Sequence, residues 1–188
     1  MDAAPLVTME AATEVLSFWF DEIEPEQWFA PDEGLDNIIR SRFGALHQAA
    51  ARGEMWPWRA TPHGRLAEII VLDQFSRNIY RNQPAAFHCD IAALVLAQEA
   101  VAAGADRALT AQEVTFLYMP FMHSESLEVH DVAMELFDVD GLEQQMDYEI
   151  KHRDILLKFG RYPHRNQVLG RTSTDEEKAF LTNPSLAL

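Results

Sequence analysis

The chain is predicted to be all-α, and three observations carry that prediction. Apolar residues recur at three- and four-residue spacing in segment after segment. Helix-start and helix-stop signals punctuate those segments. No stretch alternates apolar and polar residues as a half-buried strand would. With 188 residues, 48% of them hydrophobic, the sequence suffices for one domain over residues 1–188 with a sizeable core.

Taken in order, residues 10–20 form a first helix whose aromatic end (Phe18, Trp19, Phe20) anchors in the core. Pro25 and Pro31 bracket a loop holding Trp28 and Phe29, which read either as packing beneath the loop or as a lid over a pocket. A second helix starts near Asp32, presents Leu35, Ile38, Ile39, Phe43 and Leu46 at helical spacing, and ends around Arg52-Gly53. Thr61 as N-cap and Pro62 at the first helical position open a third helix over about 62–80. It is apolar nearly all round, which makes it the buried central helix. Asp73 and Arg77 lie four residues apart within its apolar surface and can pair there, with Gln74 and Asn78 beside them.

Asp90 reads as the N-cap of an alanine-rich helix that Gly104 closes. Thr110 and Glu113 make a capping box for the next helix, which Pro120 is expected to break or kink. His123, Ser124 and Glu125 then sit at a helix junction, where side chains and backbone N–H groups can point at a ligand. A helix over about 125–137 carries His130 inside its apolar arc, the usual setting of a satisfied core histidine. On a helix over 141–158, one arc holds Leu142, Met146, Ile150, Leu156 and Leu157, with Glu149 and Arg153 inside it and His152 at its edge. The i, i+4 spacing lets Glu149 and Arg153 pair. Gly160 suits a left-handed C-cap, and Pro163 keeps the chain from re-entering a helix at once. Arg161, His164, Arg165 and Asn166 therefore lie on a constrained loop, with Arg171 close behind. A last helix starts at Ser173/Thr174 with Glu176/Glu177 and ends before Pro184, giving seven or eight helices in all.

Formal charge is −15, which makes nucleic acid and anionic membranes poor partners. Residues 151–171 nevertheless carry six basic side chains against Asp154 alone, a local +5. That suits a small anionic ligand, unless the arginines pair with surplus acids elsewhere in the fold. Cys89 is the single cysteine, so no intramolecular disulfide and no thiolate metal cluster can form. The N-terminus lacks a basic segment ahead of an apolar run, and no window is expected to approach the roughly 18 apolar residues of a membrane span. The expected location is the cytoplasm.

The candidate site draws on three motifs. The first is Asp73, Gln74, Arg77 and Asn78; the second is His123, Ser124 and Glu125; the third is Glu149, His152, Arg153, Arg161, His164, Arg165, Asn166 and Arg171. Two acid–arginine pairs on apolar faces read as structural salt bridges, as a shared polar pocket, or as both. His123, His152 and His164 are the acid–base candidates, and arginines suit a carboxylate or phosphate. Ser124 as a nucleophile would need its base from His152 or His164. Only one Glu-x-x-His spacing is present, at Glu149 and His152, so no carboxylate-bridged metal pair is expected. With no GxxxxGK[ST] loop and no GxGxxG turn, no nucleotide cofactor is expected either.

The run FGRYPHRNQVLGRTSTDEEKAFL, with LDQFSRNIYR at 72–81 and FLYMPFMHSE at 116–125, resembles the bacterial family catalogued as domain of unknown function 924, over about 15–184. The resemblance implies an α-α superhelix of antiparallel hairpins like that of tetratricopeptide proteins, and it implies no activity. Two functional expectations follow. One is a binder of a small anionic molecule, with acid–base or hydrolytic chemistry open to it. The other is a tetratricopeptide-like scaffold that grips a peptide or protein while its buried charges hold helices together.

Overall fold

A computed structural model describes residues 7–182, which form eight α-helices and no strand. Helix α1 (Met9–Ser17) is capped by Thr8, whose hydroxyl accepts from Ala11 N, and runs into a π-helical turn at Phe18–Glu22. That turn buries Phe18 and Trp19. Helix α2 (Glu33–Ala51) is capped by Asp32 and buries Leu35, Ile39, Phe43 and Leu46, leaving Ile38 exposed.

Helix α3 (Pro62–Ile70) passes through a π-helical turn (Val71–Phe75) into a final α-helical turn (Ser76–Ile79). Every residue from Leu66 to Ser76 is buried, because α1 and the later helices Asp90–Ala102 and Ala111–Met122 pack on α3 and α2 packs on its π turn. Side chains take up main-chain carbonyls of the widened turn. Ser76 Oγ donates to Leu72 O at 2.5 Å, and Arg77 Nη1 donates to Asp73 O at 2.8 Å.

Helix α4 spans Asp90–Ala102, α5 Ala111–Met122, α6 Leu127–Phe137, α7 Glu143–Phe159 and α8 Asp175–Leu181. From α4 to α7 each helix packs against the next. The predicted capping boxes are present at Thr110/Glu113 and Thr174/Glu177, and Gly160 closes α7 at φ +69°. Pro184, expected to bound the last helix, lies outside the described residues.

Four expectations are corrected. Pro120 does not break α5, which continues to Met122 although proline lacks the N–H that Phe116 O would accept. All of Val114–Met122 is buried, and that packing outweighs a proline cost of about 3 kcal/mol. Asp90 is the first residue of α4 and not its cap; its carboxylate is drawn away by two arginines. On α7, Ile150 and Leu157 face solvent while Ile155 is buried, because α6 covers a narrower face than the wheel suggests. Finally, one stretch does pass for a membrane span by composition: Pro84–Ala102, 19 residues of mean hydropathy 1.4. Only Asp90–Ala102, 13 residues, is α-helix, about 20 Å against a hydrocarbon core of about 30 Å.

Candidate functional site

Asp73 sits in the π turn with its side chain almost wholly buried, and three groups converge on it. His123 Nδ1 is 2.7 Å from Asp73 Oδ1, Arg77 Nη1 is 3.0 Å from the same oxygen, and Gln74 Nε2 donates to Oδ2 at 2.6 Å. Burial pushes the Asp73 carboxyl up, but the charge of Arg77 and the hydrogen bonds from His123 and Gln74 outweigh it and hold the group well below the usual range. His123 is driven the other way from a free imidazole: burial and Arg77 lower it, against the pull of Asp73. The pair is therefore a carboxylate and a neutral imidazole. Nδ1 must carry the proton it donates, leaving the Nε2 lone pair unpartnered among the described residues.

The expected Asp73–Arg77 pair is present, and it is part of a larger network. Arg77 also grips Asp90 with both Nη atoms, at 3.0 and 3.1 Å. Arg165 reaches the same carboxylate at 3.2 Å and donates from Nη2 to His123 O at 2.9 Å. The Arg165 guanidinium lies 4.6 Å from the Phe87 ring centroid and 4.9 Å from that of Tyr162. Its Nε is buried with no hydrogen-bond partner among the described residues. Two arginines, two aspartates and one neutral histidine thus meet where the end of α3, the start of α4 and the end of α5 come together.

Tyr162 joins this cluster to the rest of the third motif. His152 and His164 pack on its ring at 5.6 and 5.5 Å, so His152 and Arg165 both touch one side chain. Tyr162 N donates to Glu125 Oε1 at 2.7 Å, and Arg171 clamps Glu125 with both Nη atoms at 2.7 and 2.9 Å. Arg171 Nε also donates to Asn166 Oδ1 at 2.9 Å, so Asn166 helps to fold the 160–171 loop.

The Glu149–Arg153 pair does not form. Arg153 turns outward to Asp131 at 2.8 Å, whereas Glu149 points inward to His130 Nδ1. Both residues of the inner pair are fully buried. His130 Nε2 faces two oxygens, Ser124 O at 2.9 Å and Tyr162 Oη at 3.0 Å. A carbonyl can only accept, so Nε2 carries a proton, and a second proton is shared between Nδ1 and Glu149. Burial raises the Glu149 carboxyl despite His130, and its Oε2 has no partner among the described residues.

Other candidates lie apart. Asn78 donates to Asp36 at 2.8 Å on the α2 side, and Arg161 binds Glu177 at 2.7 Å under α8. Ser124 Oγ accepts from Ser126 N at 3.2 Å, and no imidazole bonds to it among the described residues. Asp90, Phe87 and Tyr162 were not singled out from sequence. Asp90 carried a signal, an acid at a helix start, but a cap was a sufficient reading of it. Each arginine of the basic stretch faces an acid: Arg153 Asp131, Arg161 Glu177, Arg165 Asp90, Arg171 Glu125. The local +5 is thus largely neutralised within the fold.

Besides the more exposed His164, lowered to about 4, three histidines are held neutral by burial: His47 beside Ser76, His123, and His152, which is pushed down to about 3. All three have native values below their unfolded value of about 6.5. Their contribution is full above about pH 6.5 and falls as pH drops, because the unfolded chain takes up protons that the native state refuses. The loss is about 1.4 kcal/mol per pH unit for each histidine so held. Urea unfolding midpoints should therefore fall from pH 7.5 to pH 5; a flat profile would mean that these imidazoles protonate freely in the native state.

No curated protein matches the chain. A solved structure of a protein of unknown function from Agrobacterium tumefaciens is similar, with 35% identity and a TM-score of 0.89. The similarity covers 93% of this chain and 98% of that one. The profile of a family described as bacterial protein of unknown function (DUF924) matches residues 15–185, and on that match the chain belongs to this family.

Proposed function

We propose that the chain binds a small anion, a carboxylate or phosphate, against Arg77 and Arg165, with His123 as the acid–base group beside it. The observation that carries this reading is the His123 imidazole. Its Nδ1 is fixed by a buried carboxylate, its Nε2 is left without a partner among the described residues, and two guanidinium groups are gathered round Asp90 next to it. The arginines are not idle, since Asp90 occupies both. An incoming anion therefore has to share them with Asp90, and the cluster has no net positive charge while His123 is neutral. Protonation of His123 supplies that charge, so anion binding and proton uptake are coupled.

A second reading has its own support. Every arginine of the 149–171 stretch is already paired, and clefts of about 240 and 280 Å³ lie away from this cluster, beside Phe116 and beside Phe137. That favours a tetratricopeptide-like scaffold whose ion pairs are structural.

The two readings separate in a thermal-shift titration with acetate, succinate and inorganic phosphate at pH 5.5 and 7.5. Under the first, the native state is stabilised by RT ln(1 + [L]/Kd), about 2.7 kcal/mol at a hundredfold excess. The shift is larger at pH 5.5, and His123→Gln removes the pH dependence. If no anion shifts the wild type at either pH, the ion pairs are structural and the scaffold reading stands.

A further inference from the structure

We propose that the cleft between the 25–32 loop and the first half of α5 binds an uncharged, planar nitrogen heteroaromatic ring. The cleft has a volume of about 240 Å³, and its lining includes Trp28, Phe29, Gln112, Thr115, Phe116 and Gln145. It is a separate place from the His123 cluster: Gln112 in the first turn of α5 and His123 just past its end are eleven residues apart, about 16 Å along the axis.

The walls are aromatic faces. Phe29 lies nearly parallel to Phe116, 12° between planes and 6.2 Å between centroids, and Trp28 meets Phe116 edge to face at 5.0 Å. The Trp28 indole N–H is already committed to Trp19 O at 2.9 Å, so Trp28 offers the cleft its ring and no donor. Phe29 is 66% exposed, a large apolar ring left in water at the mouth of a concave site. A flat ligand laid against it removes that surface from solvent and gains stacking.

The polar groups are all neutral. Gln112 and Gln145 have no side-chain hydrogen bond among the described residues, and each primary amide presents both a donor and an acceptor. Thr115 Oγ1 donates to Ala111 O at 3.1 Å, which leaves its lone pairs as acceptors. Among the described residues no ionisable side chain lines the cleft, although 24% of the chain is charged. Nothing there compensates a ligand charge, so a charged ring loses hydration without an ion-pair partner. A ring nitrogen and an exocyclic or ring N–H, read together by two amides, fit this set. The volume, below the usual 300 Å³ or more of drug-sized sites, favours one or two fused rings.

The full chain is titrated with adenine and nicotinamide as neutral heteroaromatic probes and with benzoate and benzamidine as charged rings. Tryptophan fluorescence and ligand-observed NMR report binding. Adenine or nicotinamide should bind saturably, with both charged rings about tenfold weaker. Phe29→Ala should weaken the neutral probes about tenfold, the scale of losing one aromatic stacking partner. Gln145→Leu should weaken them several-fold. Both positions line a surface cleft, and an unchanged melting temperature for each variant verifies that it folds; Gln112→Leu replaces either one that does not. His123→Gln should leave this binding unchanged, whatever becomes of anion binding at the other end of α5. No saturable binding of either neutral ring, equal binding of the charged rings, or binding indifferent to the cleft variants would overturn the proposal.

Discussion

Glu149→Ala is expected to lower the free energy of unfolding by about 3–5 kcal/mol, the cost of removing one partner of a buried acid–imidazole pair. Glu149 and His130 are both fully out of solvent, and one proton lies between them. Without the carboxylate, the Nδ1 side of His130 faces a cavity with nothing to bond to, while Nε2 stays tied to Ser124 O and Tyr162 Oη. For a chain of this length, with about 2–4 °C per kcal/mol, the melting temperature should drop by roughly 10 °C. Arg153→Ala is the contrasting case. Its partner Asp131 is well exposed, so the change should cost about 0–1 kcal/mol. Urea denaturation of the two variants decides it: if Arg153→Ala costs more than Glu149→Ala, the inward pairing with His130 is wrong.

Gly64→Ala should be of similar size for a different reason. A Cβ at position 64 would stand 2.0 Å from the carbonyl oxygen of Trp58 and 2.8 Å from its carbonyl carbon. Both are backbone atoms, and the Trp58 side chain is fully buried, so the 56–60 turn cannot step aside without disturbing the core. Forced overpacking of this kind costs about 3 kcal/mol or more. Gly44, inside α2, has nothing within 4 Å of its absent Cβ. Gly44→Ala should therefore stabilise by about 0.5–1 kcal/mol through helix propensity alone. Paired urea curves check both signs at once, and a Gly64→Ala protein as stable as wild type would mean that the Trp58 turn moves freely.

Capping signals were legible in the sequence because they act over three or four residues: Thr61, the Thr110/Glu113 and Thr174/Glu177 boxes, and Gly160 all sit where they were read. The central position of α3 was legible for a related reason, since a helix apolar on every side can only be enclosed. Partners were not legible. A helical wheel assigns Glu149 to a face but does not say that His130, nineteen residues earlier, stands across from it. Nor does it say that Asp131 draws Arg153 outward, or that Asp90 becomes the shared counter-ion of Arg77 and Arg165. These facts belong to interhelical geometry. The Pro120 expectation failed in the same way, a local rule overruled by burial of the whole helix.

The π turn at Val71–Phe75 has a bearing on which length changes this chain tolerates. Such a turn holds one residue more than the α-helical path, and that residue sets the phase of everything after it in α3. Deleting any one of these five positions would restore a regular helix and better main-chain hydrogen bonding. It would also rotate Ser76, Arg77 and Asn78 by about 100° about the axis. Arg77 would leave Asp90, Ser76 would leave His47, and Asn78 would leave Asp36. The polar cluster thus depends on a helical defect, and a shortened chain with a more ideal backbone would be a protein without its site.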